Sequence, residues 1–473
     1  MQYWTPRHVR RVLGGSWLSA PEESGRFING VNIDSRTVQS GQAFIAIKGD
    51  RHDGHSYLSQ AASAGASILI VSDAEQSASA ADLGVPVLLV EDTSSALSLL
   101  ARAWRQLLFR FGVKVIAVTG SNGKTTTRNL IHTALSARFQ GSQSPKSFNN
   151  HIGVPLTLLA ANPTDDFVVC EIGTNHPGEV AELCDLVRPD LAVVTSVGAE
   201  HMEFFGSIEN VAREEVSVAG FVSPSGSVFL PCDKQLSVVK ECVAPRVEIQ
   251  RVRRPGKFNP TATGSTFEIE GCSFDLPLHG KHNAGNAALA VAVASACGID
   301  TQVAATALAN AAPVDGRLTP VVLPGDVLVI NDAYNANPTS MVAALDVLCA
   351  LPTRAQVARR VAVLGDMLEL GEQADEYHRQ IGQDLARRNG SGADLVVTTG
   401  PLSRGIADVL GGASDWHGSV HHVDAADELA QRVAALLQPG DVVLLKASRG
   451  MQLEQVIPAI ERRFAAVTES EAA

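Results

Sequence analysis

An apolar run at 113–119 leads directly into Gly120-Ser121-Asn122-Gly123-Lys124-Thr125-Thr126-Thr127, and a helical pattern follows to about residue 139. A strand feeding a glycine-rich turn and then a helix is a unit of a parallel, doubly wound sheet, so this segment limits the fold more than any other. The glycines let backbone N–H groups turn inward on a phosphate, and the helix N-terminus adds its positive dipole end. Lys124 is then placed to reach β- and γ-phosphates, and the Thr125 hydroxyl to ligate magnesium. The general phosphate-loop pattern has a glycine five residues before Gly123, where this chain has Val118. The loop is therefore a variant form. A plain glycine turn capping a helix, with Lys124 at the surface, is the competing reading. Strand, GKT and helix agree better with nucleoside triphosphate binding.

The remaining pattern falls into three blocks, expected as domains at 1–110, 111–313 and 314–473. In the first, short apolar runs (AFIAI, SILIVS, VPVLLVED) alternate with Ala-rich helical stretches. This predicts a small α/β domain that ends in a helix at 97–109. The second holds the phosphate loop and further buried-strand candidates at 167–172 and 191–196, as in a parallel sheet covered on both faces. Between 221 and 280 the pattern becomes turn-rich and β-like, predicting a small antiparallel flap, and 283–297 reads as a helix. The third block has strand runs at 327–331, 361–364, 394–398 and 442–446 with helices between them, a Rossmann-like arrangement. The expected class is α/β, with a P-loop-type ATPase domain at the centre.

With 473 residues the chain exceeds one ordinary core. Its formal net charge of −12 argues against a broad nucleic-acid surface, which phosphate backbones require to be basic. Seven cysteines without a CxxC pair read as free thiols in a reducing compartment. Neither a signal-peptide core nor a spanning apolar stretch is present in the sequence. The expectation is a soluble, cytoplasmic, monomeric protein with no membrane insertion.

Beyond the loop, further segments carry a resemblance. They are Phe148-Asn149-Asn150-His151, Glu171-Ile172-Gly173, Glu200-His201-Met202-Glu203-Phe204-Phe205-Gly206 and Gly280-Lys281-His282-Asn283 with Asn286. Gly316-Arg317, Asp332-Ala333-Tyr334-Asn335-Ala336-Asn337-Pro338, Gly365-Asp366-Met367-Leu368-Glu369-Leu370-Gly371, His378 and Lys446-Ala447-Ser448-Arg449-Gly450 follow in order. Over about residues 25–460 this set resembles the Mur ligases and, more distantly, their folylpolyglutamate synthase relatives. Within the family, Tyr334 to Pro338 with Ser340-Met341 resembles the branch that joins D-alanyl-D-alanine to the tripeptide carboxylate of UDP-N-acetylmuramoyl-tripeptide. Branches adding one amino acid tend to carry a His near Ala336 or Asn337. The first block's Asp34-Ser35-Arg36 and its segment 49–55 resemble that branch's UDP-sugar-binding domain, which folylpolyglutamate synthases lack.

The resemblance implies ATP and magnesium as cofactors and gives residues their roles. Gly120, Ser121, Asn122, Gly123, Lys124, Thr125 and Thr126 would cradle the phosphates. Lys124 and Arg317 would neutralise the transferred phosphoryl group. Asn283 and Asn286 would hold adenine, and Asp332 the ribose, although Asp332 also reads as a simple helix cap. Thr125 and Glu171 would hold one magnesium ion and His201 a second. Asp34, Ser35, Arg36, Asn149, Asn150, Asn335 and Asn337 would contact substrate. His52 and His55 read equally as uridine contacts or turn caps, and Trp104 and Tyr377 as packing residues.

The chain departs from the family at one position. Mur ligases typically carry, about a dozen residues after the His loop, a lysine converted by carbon dioxide to a carbamate that helps hold the second metal. Here Glu215 stands there, and no lysine occurs between Lys146 and Lys234. Either Glu215 supplies that negative charge directly or it is an exposed helix residue. Two other functions stay open at this stage, a single-amino-acid ligase of the same family and a nucleotide-binding relative that has lost ligation.

Overall fold

The computed structural model describes residues 4–21, 27–49, 52–243, 246–351, 359–388 and 392–471, with side chains to residue 465. Asp50 and Arg51 of the first-domain segment lie outside them.

Three sheets follow one another along the chain. The first has the order Ser16–Ser19, Val87–Leu89, Ile68–Val71, Ala43–Ile45, Val31–Asn32 and is parallel except for its antiparallel first strand. Ile68–Val71 is wholly buried, as expected of a strand covered on both faces. Helix Thr93–Arg110 then leads into the second sheet. It starts at Asp92, whose carboxylate accepts the Ser95 N–H at 2.6 Å, and it buries Ala96, Leu97, Leu100, Ala101, Trp104 and Leu108. That spacing is one helical face. Trp104 packs edge-on against Trp4, 5.3 Å between centroids, and its indole N–H reaches the Ala161 carbonyl, so one side chain ties the first two sheets together.

The central sheet runs Glu248–Val252, Ser227–Pro231, Leu191–Val194, Lys114–Thr119, Phe167–Glu171, Gly141–Gln143, all parallel. This corrects part of the expected flap. Ser227–Pro231 and Glu248–Val252 extend the parallel sheet, because Val228, Phe229 and Leu230 are buried outright and a two-sided hairpin strand would leave alternate residues wet. The flap proper is the three-stranded antiparallel sheet Gly256–Pro260, Ser265–Ile269, Cys272–Leu276, with Phe267 stacked on Phe274.

The third sheet has the order Thr319–Leu323, Val327–Asn331, Val442–Lys446, Arg360–Gly365, Leu395–Thr399, Ser419–Val423, with only the first strand antiparallel. Among the described residues no helix is long and apolar enough to cross a membrane.

Candidate functional site

The phosphate loop leaves the central sheet at Thr119 and enters helix Lys124–Leu135. Gly120 and Gly123 have φ of 121° and 85°, where side chains are strained. A Cβ on Gly120 would run into Thr195, and one on Gly123 would lie 2.8 Å from Asn286 Oδ1. The neighbouring strand end pins the loop from the side. Thr195 and Ser196 hydroxyls donate to the Asn122 carbonyl at 2.6 and 3.0 Å, and the Ser121 N–H donates to Ser196 O. The Thr126 side chain is buried in the first turn of the helix.

Lys124 bends back over the loop, its ammonium 2.6 Å from the Gly120 carbonyl. Burial alone would lower its pKa, but the carboxylates of Glu200, Glu215 and Glu171 outweigh burial and raise it. The group is a cation poised in the cradle. Thr125 donates its hydroxyl to Glu171 Oε1 at 3.1 Å, and Asn149 donates its amide to the same oxygen at 3.2 Å. A hydroxyl and a carboxylate side by side at the start of the helix are hard oxygen donors of the kind magnesium takes, so these residues fit the ion. Arg128, one helical turn beyond Lys124, faces Glu171 Oε2 at 3.4 Å with both side chains buried. Sequence reading passed over Arg128, although its four-residue spacing from Lys124 puts both on one helix face.

The expected metal set divides. Thr125 and Glu171 meet, whereas His201 Nδ1 lies 2.6 Å from Glu369 Oε2 of the third sheet's 365–371 loop. Glu215 is entirely buried, which overturns the exposed-residue reading. Its Oε2 accepts the Gly120 N–H at 2.7 Å and the Thr119 hydroxyl, while Oε1 has no hydrogen bond. Its neighbour Glu214 caps another helix start, accepting the Gly178 and Val180 N–H groups at 2.8 Å each. Glu200, overlooked beside His201, is also buried with one free oxygen, and burial pushes its carboxyl well above the usual range. Among the described residues no three acidic, His or Cys side chains converge as a metal cluster.

Several expected ligand residues are engaged within the protein. Asp332 Oδ1 accepts the Leu318 N–H at 3.1 Å, and Oδ2 accepts from the buried Lys446 ammonium at 2.6 Å. Asn337 caps helix Pro338–Ala350 in a reciprocal box with Ser340, and its amide reaches Asn122 Oδ1 of the phosphate loop at 2.9 Å. It is thus a cap and an inter-sheet tie before it is a substrate contact. Asn335 accepts the neighbouring Ala336 N–H at 2.9 Å. Asn150 accepts the Ile152 and Gly153 N–H groups, capping a turn. Asn283 and Asn286 are buried, joined by a 3.1 Å side-chain bond, and Asn286 borders Gly123.

In the first domain Arg36 grips Asp34 through two nitrogens at 2.9 and 2.7 Å, which lowers the Asp34 carboxyl to about 2. Ser35 is buried and donates to Gln60 Oε1 at 2.8 Å. His55 lies buried inside the short helix Gly54–Tyr57 that Asp53 caps, with both ring nitrogens engaged within the protein. Its Nδ1 meets Asp53 at 2.6 Å and its Nε2 accepts the Ser72 N–H at 3.0 Å, while His52 is exposed. His378 likewise is buried and structural, donating to the Ala374 carbonyl and accepting the Met367 N–H.

Three sheets with a phosphate loop at the central one, faced by loops of the third, define a multidomain α/β nucleotide-binding protein. Three family models match in series, the Mur ligase family catalytic domain at 27–105, the Mur ligase middle domain at 118–294 and the Mur ligase glutamate ligase domain at 316–449. UDP-N-acetylmuramoyl-tripeptide–D-alanyl-D-alanine ligase of Bacillus subtilis is 34% identical, covering 96% of this chain and 97% of its own length. The Escherichia coli ligase of the same name is 32% identical over 92% and 94%. A crystal structure of MurF from Acinetobacter baumannii superposes with a TM-score of 0.83 at 28% identity, covering 97% of this chain and 99% of its own. The chain belongs to the Mur ligase family.

Proposed function

We propose that this protein joins D-alanyl-D-alanine to the tripeptide carboxylate of UDP-N-acetylmuramoyl-tripeptide at the expense of ATP, in peptidoglycan precursor synthesis. It does so as a cytoplasmic monomer with domains at 1–110, 111–313 and 314–473. The reading is carried by one observation, the phosphate loop with Lys124 and the Thr125–Glu171 pair meeting the third sheet through Asn337 and Glu369. Similarity to ligases of that name over nearly the whole chain supports the choice of substrates.

A carboxylate is a poor acyl donor to an amine at neutral pH, so it is activated first. A carboxylate oxygen attacks the γ-phosphorus, the bond to ADP breaks, and an acyl phosphate forms. The dipeptide amine then attacks the acyl carbon, loses a proton, and phosphate leaves. The chain's contribution is positioning and charge neutralisation. Loop residues 120–126 cradle the phosphates, and Lys124 and Arg317 meet the negative charge of the group in transfer. Thr125 and Glu171 would hold magnesium, which when bound would supply Lewis-acid neutralisation of phosphate charge. His201, with the free oxygen of Glu215, is available to a second ion. Asn283 and Asn286 serve the base and Asp332 the ribose, Asp332 through lone pairs not used by Leu318 and Lys446. Asn149, Asn150, Asn335 and Asn337 serve the peptide ends, and Asp34, Ser35 and Arg36 the sugar nucleotide.

The test is phosphate release from ATP with UDP-N-acetylmuramoyl-tripeptide, with and without D-alanyl-D-alanine. Release requiring both, with the matching mass gain on the nucleotide sugar, supports the reading. Release with a single amino acid instead would move the chain to another branch. No acceptor-dependent turnover would leave a binding protein.

A further inference from the structure

Arg317 sits in the turn that joins the central domain to the third sheet, and the turn is clamped on both sides of it. On one side the Gly316 carbonyl accepts the Tyr334 N–H at 3.2 Å; on the other the Leu318 N–H donates to Asp332 Oδ1 at 3.1 Å. Gly316 has φ of 69°, and a Cβ there would come within 3.2 Å of the Tyr334 Cβ, so glycine permits the close approach. Asp332 is itself held by Lys446.

Among the described residues no carboxylate pairs with the guanidinium between these two tethers; the Arg317 Cζ lies 4.2 Å from the centroid of the Tyr334 ring. Arg449, 5.9 Å from the same centroid, differs in being paired with Glu454 at 2.7 Å. Arg317 is near enough to Lys124 and Arg128 for its charge to oppose theirs. Three cations thus gather around a loop with three buried carboxylates; Glu200, Glu215 and Glu171 act on Lys124, and Glu171 also faces Arg128.

A carboxylate could also fix the arginine, but it would cancel the charge an incoming phosphoryl group needs. The face of an aromatic ring attracts a guanidinium through its quadrupole and carries no net charge, so it orients the group and leaves its field intact. We propose that Tyr334 is a positioning residue for Arg317, holding the guanidinium ready for the transferred phosphoryl group without neutralising it. The phenol hydroxyl makes no hydrogen bond among the described residues, so the ring face is the working part. This inference rests on the reading of Arg317 given above, and the test separates the two.

Acceptor-dependent phosphate release is measured for Tyr334→Phe, Tyr334→Leu, Arg317→Ala and the Tyr334→Leu/Arg317→Ala double variant, with thermal midpoints alongside. Tyr334→Leu is expected to lower kcat by roughly tenfold with little change in KM for the tripeptide substrate. Tyr334→Phe keeps the rate within about twofold, since the ring face is retained. In the Arg317→Ala background, Tyr334→Leu has no further effect, as coupling through one arginine demands. Tyr334→Met takes the place of Tyr334→Leu where the latter does not fold. An equal loss from Tyr334→Leu with and without Arg317, or a loss in Tyr334→Phe as large as in Tyr334→Leu, overturns the positioning role alone. A wild-type rate in Arg317→Ala overturns the reading of Arg317 itself.

Discussion

His201 Nδ1 lies 2.6 Å from Glu369 Oε2, joining the loop after the third central-sheet strand to the 365–371 loop of the third sheet. Both residues have left-handed backbone, φ 48° and 62°, a conformation that costs a non-glycine residue roughly 1 kcal/mol or more. The Glu203 N–H also points to the Glu369 carbonyl, at 3.5 Å. Two residues with strained backbone are thus held against each other between a loop of the central sheet and a loop of the third.

Glu369→Ala removes this contact and little else, because the Glu369 side chain is more than half exposed. Acceptor-dependent phosphate release should fall roughly tenfold through poorer domain closure, with the thermal midpoint almost unmoved. A full rate in the variant would show that the contact has no part in closure.

Glu215 separates two roles by substitution. Its Oε2 satisfies the Gly120 N–H and the Thr119 hydroxyl beneath the loop, and Oε1 is free. Glu215→Ala leaves those donors buried without a partner, so a loss of about 2–4 kcal/mol is expected from the missing hydrogen bonds and the cavity. Glu215→Gln keeps an acceptor for Gly120 and should fold nearly as well. If the free oxygen serves a cation, Glu215→Gln raises the magnesium concentration needed for half-maximal rate. An unchanged magnesium titration would confine Glu215 to supporting the loop.

Acid should loosen the third sheet's loop through His378. Burial lowers its pKa below 6.5, and the Ala374 carbonyl with Asp366 and Asp375 only partly offsets this. A lowered histidine pKa means the unfolded chain binds the extra proton more readily. The stability contributed is therefore complete above about 6.5 and is lost as pH falls from there through the folded value. The geometry gives the same sign, since Nε2 accepts the Met367 N–H and cannot do so when protonated. Thermal midpoints of the wild type should drop below pH 6.5, and His378→Gln should flatten that slope. Equal slopes in the two proteins would remove His378 from the acid response.

The parts of this site readable in the sequence are those settled within a few residues. Gly120, Gly123, Lys124 and Thr125 carry their geometry in local φ angles and in the strand-to-helix switch, so the loop was legible. The capping role of Asn337 has a signal in the sequence, because an Asn followed by Pro338 at the first helical position and by Ser340 three residues after the Asn is a helix start. Its bond to Asn122 spans 215 residues and has no sequence signature. The same holds for Glu215 under Gly120 and for Glu369 on His201. Ser227–Pro231 reads as flap in the sequence because a short apolar run gives no strand direction; that comes from the buried slot beside Leu191–Val194.

Lys446 and Asp332 provide the last test. Their 2.6 Å contact is almost wholly buried, and it braces Asp332 against the turn that carries Arg317. Replacing only one partner leaves an uncompensated buried charge, so Lys446→Met should destabilise the protein by about 3–5 kcal/mol. Replacing both, as Lys446→Met with Asp332→Asn, should recover part of that loss because no lone charge remains buried. Activity should not recover in parallel, since the Leu318 tether still loses its charged acceptor and Arg317 its fixed height above the Tyr334 ring. Thermal unfolding and phosphate release, measured on the single and double variants, give the two readouts. Recovery of both together would mean that the pair matters for stability alone and that Arg317 is held without it.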